Sequence, residues 1–293
     1  MPSLKDVKVK IEGVKKTKQI TKAMNMVASA KLRTAQMRIE RFRPYADKFY
    51  EMLGDLAGRA DAEAHPLLEV REEIATVGII VATSERGLCG SFNVNIIKAA
   101  TKLAGQKAAE GKTVKMYCVG KKARDAFRKM DFEMADARVG VLNSFDFTLA
   151  NDIGMEVIEA YLAGELDEVH IVFGEFISMA RQVPVEKQLL PMAHAEEEAA
   201  VPEDGGASEY IYEPTVEGLL AELLPRFIKV QVYRGLLDTS ASEHAARMSA
   251  MDNATKACDD MVDSLTLVYN KTRQAAITTE LMDIVGGAEA LKG

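Results

Sequence analysis

Apolar residues near the amino terminus recur in a heptad register. From Ser3 to about Ala57, a positions hold Leu4, Ile11, Lys18, Asn25, Leu32, Ile39, Ala46 and Leu53. The d positions hold Val7, Val14, Thr21, Ala28, Ala35, Phe42, Phe49 and Leu56. Only Lys18, Thr21 and Asn25 interrupt this seam, so the spacing predicts a coiled-coil helix about 80 Å long. Pro44 is expected to kink it. A second register begins near Thr215 and runs through Leu220, Leu223, Phe227, Val230, Leu237, Ala241, Met248, Met251, Cys258, Val262, Leu265, Tyr269 and Ala276. It predicts a helix reaching about Ile284, with Gly286-Gly287 as its stop. Two such helices at opposite ends of a chain pair most simply antiparallel, each covering the other's stripe, as a rod.

The pattern changes between them. Residues 74–82 read as a buried strand, 93–110 as an amphipathic helix, 114–119 as a strand and 121–130 as a basic helix. Residues 147–163 read as a helix, and 168–176 and 183–190 as strands. This alternation predicts a central open, mostly parallel sheet with flanking helices. The fold class is therefore α/β plus a long antiparallel coiled coil formed by the N- and C-terminal helices. Its parts are an N-terminal helix (1–57), an α/β domain (74–208) and a C-terminal helix (209–293). The acidic, Pro- and Gly-containing stretch 193–208 reads as a solvated loop.

Composition sharpens this. The 293 residues are 48% hydrophobic but only 6% aromatic, with no Trp and 15 Met, which suits aliphatic helix packing better than a sandwich or barrel. Three scattered cysteines (Cys89, Cys118, Cys258) indicate neither a disulfide framework nor a zinc site, and imply a reducing compartment. No run approaches the roughly 20 apolar residues of a membrane helix, and the N-terminus has no apolar signal core, so a cytosolic chain is expected. Net charge is −7 overall, yet Met1 to Arg43 carries twelve Lys and Arg against three acidic residues. That end favours an acidic partner.

Candidate chemistry is sparse. Ser84-Glu-Arg-Gly-Leu-Cys-Gly-Ser-Phe-Asn93 follows the first strand, where α/β proteins place ligands. Ser84 or Cys89 could serve as nucleophile, but no phosphate-binding glycine pattern and no neighbouring His supports this, and a structural strand-to-helix turn is expected. Cys118 reads as a core residue. His65, His170, His194 and His244 show no ligand spacing and read as surface or satisfied histidines. The basic helix lacks the aromatic interleaving of nucleic-acid binders, so an acidic protein surface fits it at least as well. Where the seam turns polar, Ile20, Met24 and Val27 offer apolar surface to an outside partner.

Several ordered motifs carry a resemblance. Lys18-Gln-Ile-Thr-Lys-Ala-Met-Asn-Met-Val-Ala28 with Lys31-Leu-Arg33 resembles the N-terminal helix of the γ subunit family of F-type ATP synthases. Residues 84–93 are similar to that family's RGLCG turn, with Ser91 where a second glycine is common. Residues 242–248, 250–255, 265–271 and 273–281 resemble its C-terminal helix, and the likeness runs from Leu4 to Leu291. The cysteine-bearing insertion of the chloroplast form is missing.

The resemblance implies a central rotor stalk that couples ion-driven rotation of a membrane c-ring to ATP synthesis or hydrolysis at β-subunit sites. It implies no catalytic site, cofactor or metal of the chain's own. The implied partners are an alternating hexamer of α and β subunits, the ε subunit and the c-ring, with δ in the same complex. Location would be peripheral, on the cytoplasmic face of a bacterial inner membrane, with no nucleic acid involved. Shaft contacts with α and β would fall on Lys22, Met24, Arg33, Arg247, Arg273, Gln274, Thr278 and Glu280. Tyr210, Tyr212 and Glu213 would meet the c-ring, and Arg86, Gly87 and Gly90 would form a structural turn. Two other readings stand beside it: a nucleic-acid-binding coiled coil, and a small-molecule enzyme centred on Ser84 to Asn93.

Overall fold

The computed structural model describes residues 3–57, 65–69, 71, 73–192 and 216–290. The long helices are α1 (Leu4–Ala57) and, at the other end, α5 (Val216–Ala290). Between them lie β1 (Thr76–Ala82), α2 (Phe92–Ala109), β2 (Thr113–Val119), α3 (Lys121–Phe127) and β3 (Glu133–Arg138). A 3-10 turn (Val141–Asn143), α4 (Phe147–Leu162), β4 (Glu168–Ser178) and β5 (Arg181–Leu190) complete the order. The chain forms two compact units, Met1–Ala28 with Met248–Gly293, and Ser29–Arg247.

In the larger unit the sheet order is β3-β2-β1-β4-β5. The first four strands are parallel and β5 is antiparallel to β4, because a two-residue connection after Ser178 leaves no room for a crossover. Both faces are covered. Val77, Ile79 and Val81 pack with Phe92, Ile96, Ala100 and Leu103 of α2 and with Phe127 of α3. Ile80 and Ala82 share the other core with Ile153, Val157 and Tyr161 of α4. Leu224, Ile228, Val232 and Leu236 enter that same core at four-residue intervals on α5. Each such side chain, taken fully from water, contributes roughly 1.5–3 kcal/mol before entropy.

The heptad register of α1 is visible in its burial. Among residues whose side chains are described, every a and d position is buried or half-buried, from Val7 through Ala28, Leu32 and Ala35 to Phe49. In the smaller unit α1 and α5 run antiparallel: Lys18 is ion-paired with Asp259, the Thr21 and Thr255 hydroxyls are 2.8 Å apart, and Asn25 Nδ2 donates to the Met248 carbonyl at 2.9 Å. The polar interruptions in the seam are therefore interhelical contacts.

Three expectations change. The basic helix ends at Phe127, not Met130, and the chain turns into β3, which the sequence reading lacked. β3 is an edge strand, so its charged, alternating residues have no apolar run to betray it. Pro44 lies inside α1, which spans Leu4–Ala57. Gly286 and Gly287 do not stop α5, which continues to Ala290; a helix stop needs a left-handed glycine, and neither adopts positive φ. The stretch 193–208 lies outside the described residues.

Candidate functional site at the strand-end turn and the paired helices

At the carboxyl end of β1 the backbone is pinned by close approach. Thr83 N–H donates to the Val119 carbonyl at 2.9 Å, and the Thr83 hydroxyl accepts from Ala123 N–H at 2.8 Å. Gly120, at φ +99°, passes so near that a Cβ there would lie 2.2 Å from the Thr83 carbonyl oxygen. Only glycine fits. The Glu85 carboxylate then accepts from Lys121 N–H at 3.0 Å and Gly140 N–H at 2.7 Å, capping the start of α3 and holding the chain after β3.

Within the turn, Ser84 N–H donates to Asn93 Oδ1 at 3.0 Å, and the Ser84 hydroxyl lies 2.5 Å from the Arg86 carbonyl. Asn93 Nδ2 donates to Cys89 Sγ at 3.0 Å. Leu88 and Gly90 take left-handed φ of 62° and 57°, which reverses the chain into α2. The turn is closed from α5, where Arg247 Nη2 donates to Glu243 at 2.7 Å and to the Gly87 and Arg86 carbonyls at 3.3 and 3.4 Å. Glu243 and Arg247 are buried. Burial raises the Glu243 carboxyl against the opposing pull of Arg247, and lowers the neighbouring His244 to about 4.

This geometry does not activate a nucleophile. Burial pushes the Cys89 thiol up, with Arg247 only partly offsetting it, whereas a reactive cysteine needs the opposite shift. Cys118 is pushed up by burial to about 12. At the strand end where α/β folds place ligands, a buried ion pair from α5 contacts the turn carbonyls.

The residues nominated for shaft contacts divide by exposure. Lys22, Arg33, Arg273, Gln274, Thr278 and Glu280 are exposed and Met24 is half-buried. Thr278 donates its hydroxyl to the Gln274 carbonyl at 3.0 Å. Arg247 alone is buried, and it joins Arg86 and Gly87 of the turn. Tyr210, Tyr212 and Glu213 lie outside the described residues, as does His194. Sequence reasoning did not nominate Glu85 or Glu243; His170, read as a surface or satisfied histidine, is 5% exposed with Nε2 bonded to Glu168. The i, i+4 spacing of Glu243 and Arg247 was the available signal.

In α5 every described residue from Arg273 to Glu289 is exposed, including Ile277, Leu281, Met282 and Ile284. Ile20, Met26 and Val27 of α1 are exposed by 58–60%. Exposed large apolar residues running along one side of a helix mark a surface for an interaction partner.

These features define a class: a doubly wound, mostly parallel sheet bounded in sequence by two long helices that pair antiparallel and expose apolar surface. A family model described as ATP synthase matches residues 3–291. The chain belongs to the ATP synthase family. It is 74% identical over 293 residues to an ATP synthase gamma chain of Nitratidesulfovibrio vulgaris (Miyazaki F), and 52% identical over 298 residues to that of Desulfosudis oleivorans, each covering both chains fully. A chain of the Tetrahymena thermophila mitochondrial ATP synthase central stalk and c-ring structure is similar at 26% identity and TM-score 0.59, over 80% of this chain and 99% of that one. A chain of the Euglena gracilis mitochondrial enzyme in rotational state 3 shares the fold at 23% identity and TM-score 0.68, over 98% and 94%.

Proposed function

We infer that this chain is the central rotor stalk of an ATP synthase, coupling rotation of an ion-driven ring to ATP synthesis and hydrolysis elsewhere in the complex. The observation that carries this is the carboxyl-terminal part of α5, exposed throughout from Arg273 to Glu289 although rich in apolar residues. In a chain whose full-length relatives are ATP synthase gamma chains, this is the surface for an enclosing ring of subunits.

In this reading 1–57 and 209–293 are the shaft and 74–208 is the foot. An alternating hexamer of α and β subunits surrounds the shaft, the foot meets ε and the c-ring, and δ belongs to the same complex. The chain carries no active site. It modulates ATPase activity and proton flow by favouring one β conformation at each angle through differential contacts. Lys22, Met24, Arg33, Arg273, Gln274, Thr278 and Glu280 make those contacts, while Arg247 holds the turn of Arg86, Gly87 and Gly90. No helix among the described residues is long and apolar enough to cross a membrane; attachment is through the complex, at the cytoplasmic face of a bacterial inner membrane.

The test is size-exclusion co-elution with purified α and β subunits, with ATPase activity read on the peak. One copy per six partners is expected, with coupled activity reduced several-fold by Arg273→Glu and Glu280→Lys while the foot stays folded. Separate elution, with catalysis indifferent to the chain, overturns the reading.

A further inference from the structure

His170 on β4 is 5% exposed, with both ring nitrogens turned toward carboxylates. Nε2 lies 2.7 Å from Glu168 Oε1 on the same strand. Nδ1 lies 3.5 Å from Glu186 Oε1 on β5 and has no hydrogen-bond partner. A neutral imidazole carries one proton, so either tautomer sets a bare lone pair against a carboxylate oxygen. Only the imidazolium donates on both sides.

The surrounding charges lead to the same conclusion. From α2, Lys107 Nζ bonds both Glu168 oxygens at 2.8 Å. From the α2–β2 connection, Lys112 Nζ lies 2.7 Å from Glu110 and 4.0 Å from Glu168. β1 brings only Ile79 opposite His170. With a neutral ring, the carboxylates Glu110, Glu168 and Glu186 outnumber the ammonium groups Lys107 and Lys112. A protonated ring balances the cluster. Although burial opposes ionisation of Glu168, hydrogen bonds from His170 and Lys107 outweigh it and hold the carboxyl at about 2.

The ring also stands at a fault in the ladder. Val169 pairs with Leu190 but His170 with Gln188, so Leu189 is an extra residue on β5. Bulges re-aim side chains and weaken local pairing. β5 is an edge strand whose one neighbour in the sheet is β4.

We propose that His170 is a proton-operated clamp fastening the edge strand β5 to β4. Protonation at Nδ1 creates an N–H donor to Glu186, and closure by about half an ångström brings the pair within bonding distance. Loss of that proton leaves two acceptors facing each other beside the bulge, and the strand loosens. Because the bonded form is the protonated one, the stabilisation belongs to the low-pH side and is lost on the high-pH side.

The experiment is hydrogen exchange followed by mass spectrometry on the full-length chain, reading the segment 181–190 at pH 6 and pH 8 after correction for intrinsic rates. Exchange about tenfold slower at pH 6 is expected, as for a hydrogen bond to a charged group. His170→Gln should abolish the difference, and Glu186→Gln should cut it by more than half. No pH response in the parent chain, or an undiminished response in His170→Gln, overturns the clamp. A response lost in His170→Gln but intact in Glu186→Gln also overturns it, by placing the effect on Glu168. Should His170→Gln fail to fold, Glu186→Gln decides alone, since that side chain is 45% exposed.

Discussion

A single guanidinium closes the strand-end turn. Arg247 is buried with Glu243, its Nη2 also reaches two turn carbonyls and its Nη1 faces His244 Nδ1 at 3.3 Å, so one side chain ties the ion pair to the loop. Asp238, about two and a half helical turns earlier, is the contrasting case. Burial pushes its carboxyl up to about 6, with Arg234 opposing and Glu175 adding to the shift. The sign follows from linkage: a carboxyl whose native value lies above its unfolded value binds its proton more tightly when folded, so stability falls as pH rises between about 4 and 6 and stays lower beyond. Asp238→Asn should therefore raise stability at pH 7 by about 2 kcal/mol, with the gain vanishing below about pH 4. Thermal melts of parent and variant across pH 3.5–8 check this. Arg247 was nominated from the sequence and Asp238 was not, but the burial of neither was legible there, because burial of a charge depends on what the fold brings against it.

Among the elements, the long helices were readable and the sheet edges were not. The seam of Val7, Ala28, Leu32, Ala35 and Phe49 is buried as its period demanded, because a helix of that length has one face to hide. β1 declared itself through an unbroken apolar run buried on both sides. β3 did not, since only its half-buried positions touch the core. The turn at 84–93 was recognisable as a turn, but its closure by Arg247 joins residues 160 apart, which no local pattern reports. The polar break at Lys18, Thr21 and Asn25 sets the register between α1 and α5. Replacing Thr21 by Val and Asn25 by Leu together should raise thermal stability of that pair by about 1–3 kcal/mol while loosening its register. Spin labels at Lys15 and Asp263 would then give a broader distance distribution than in the parent.

Across the whole molecule, stability is unevenly distributed. The sheet and its helices hold nearly all the fully buried side chains, while the end of α5 holds none among its described residues. Ending the chain after Thr272 should leave the melting temperature within about 2 °C of the parent, since exposed positions change stability by no more than about 0.5 kcal/mol each way. Calorimetry on the truncated and full-length chains tests this. The same truncation should weaken coupled ATPase activity in the assembled enzyme, separating what the segment does for folding from what it does for function.

The bare end of α5 also bears on how the free chain differs from the assembled one. A helix without tertiary packing opens at little free-energy cost, and an opened segment rich in Leu, Ile and Met is what chaperones hold and proteases cut first. If the segment is enclosed in the complex as proposed, a free copy would present it to proteases and an incorporated copy would not. The exposure that suits the segment to an enclosing partner in the proposed reading should also make it the first part of a free chain to be cut under limited proteolysis.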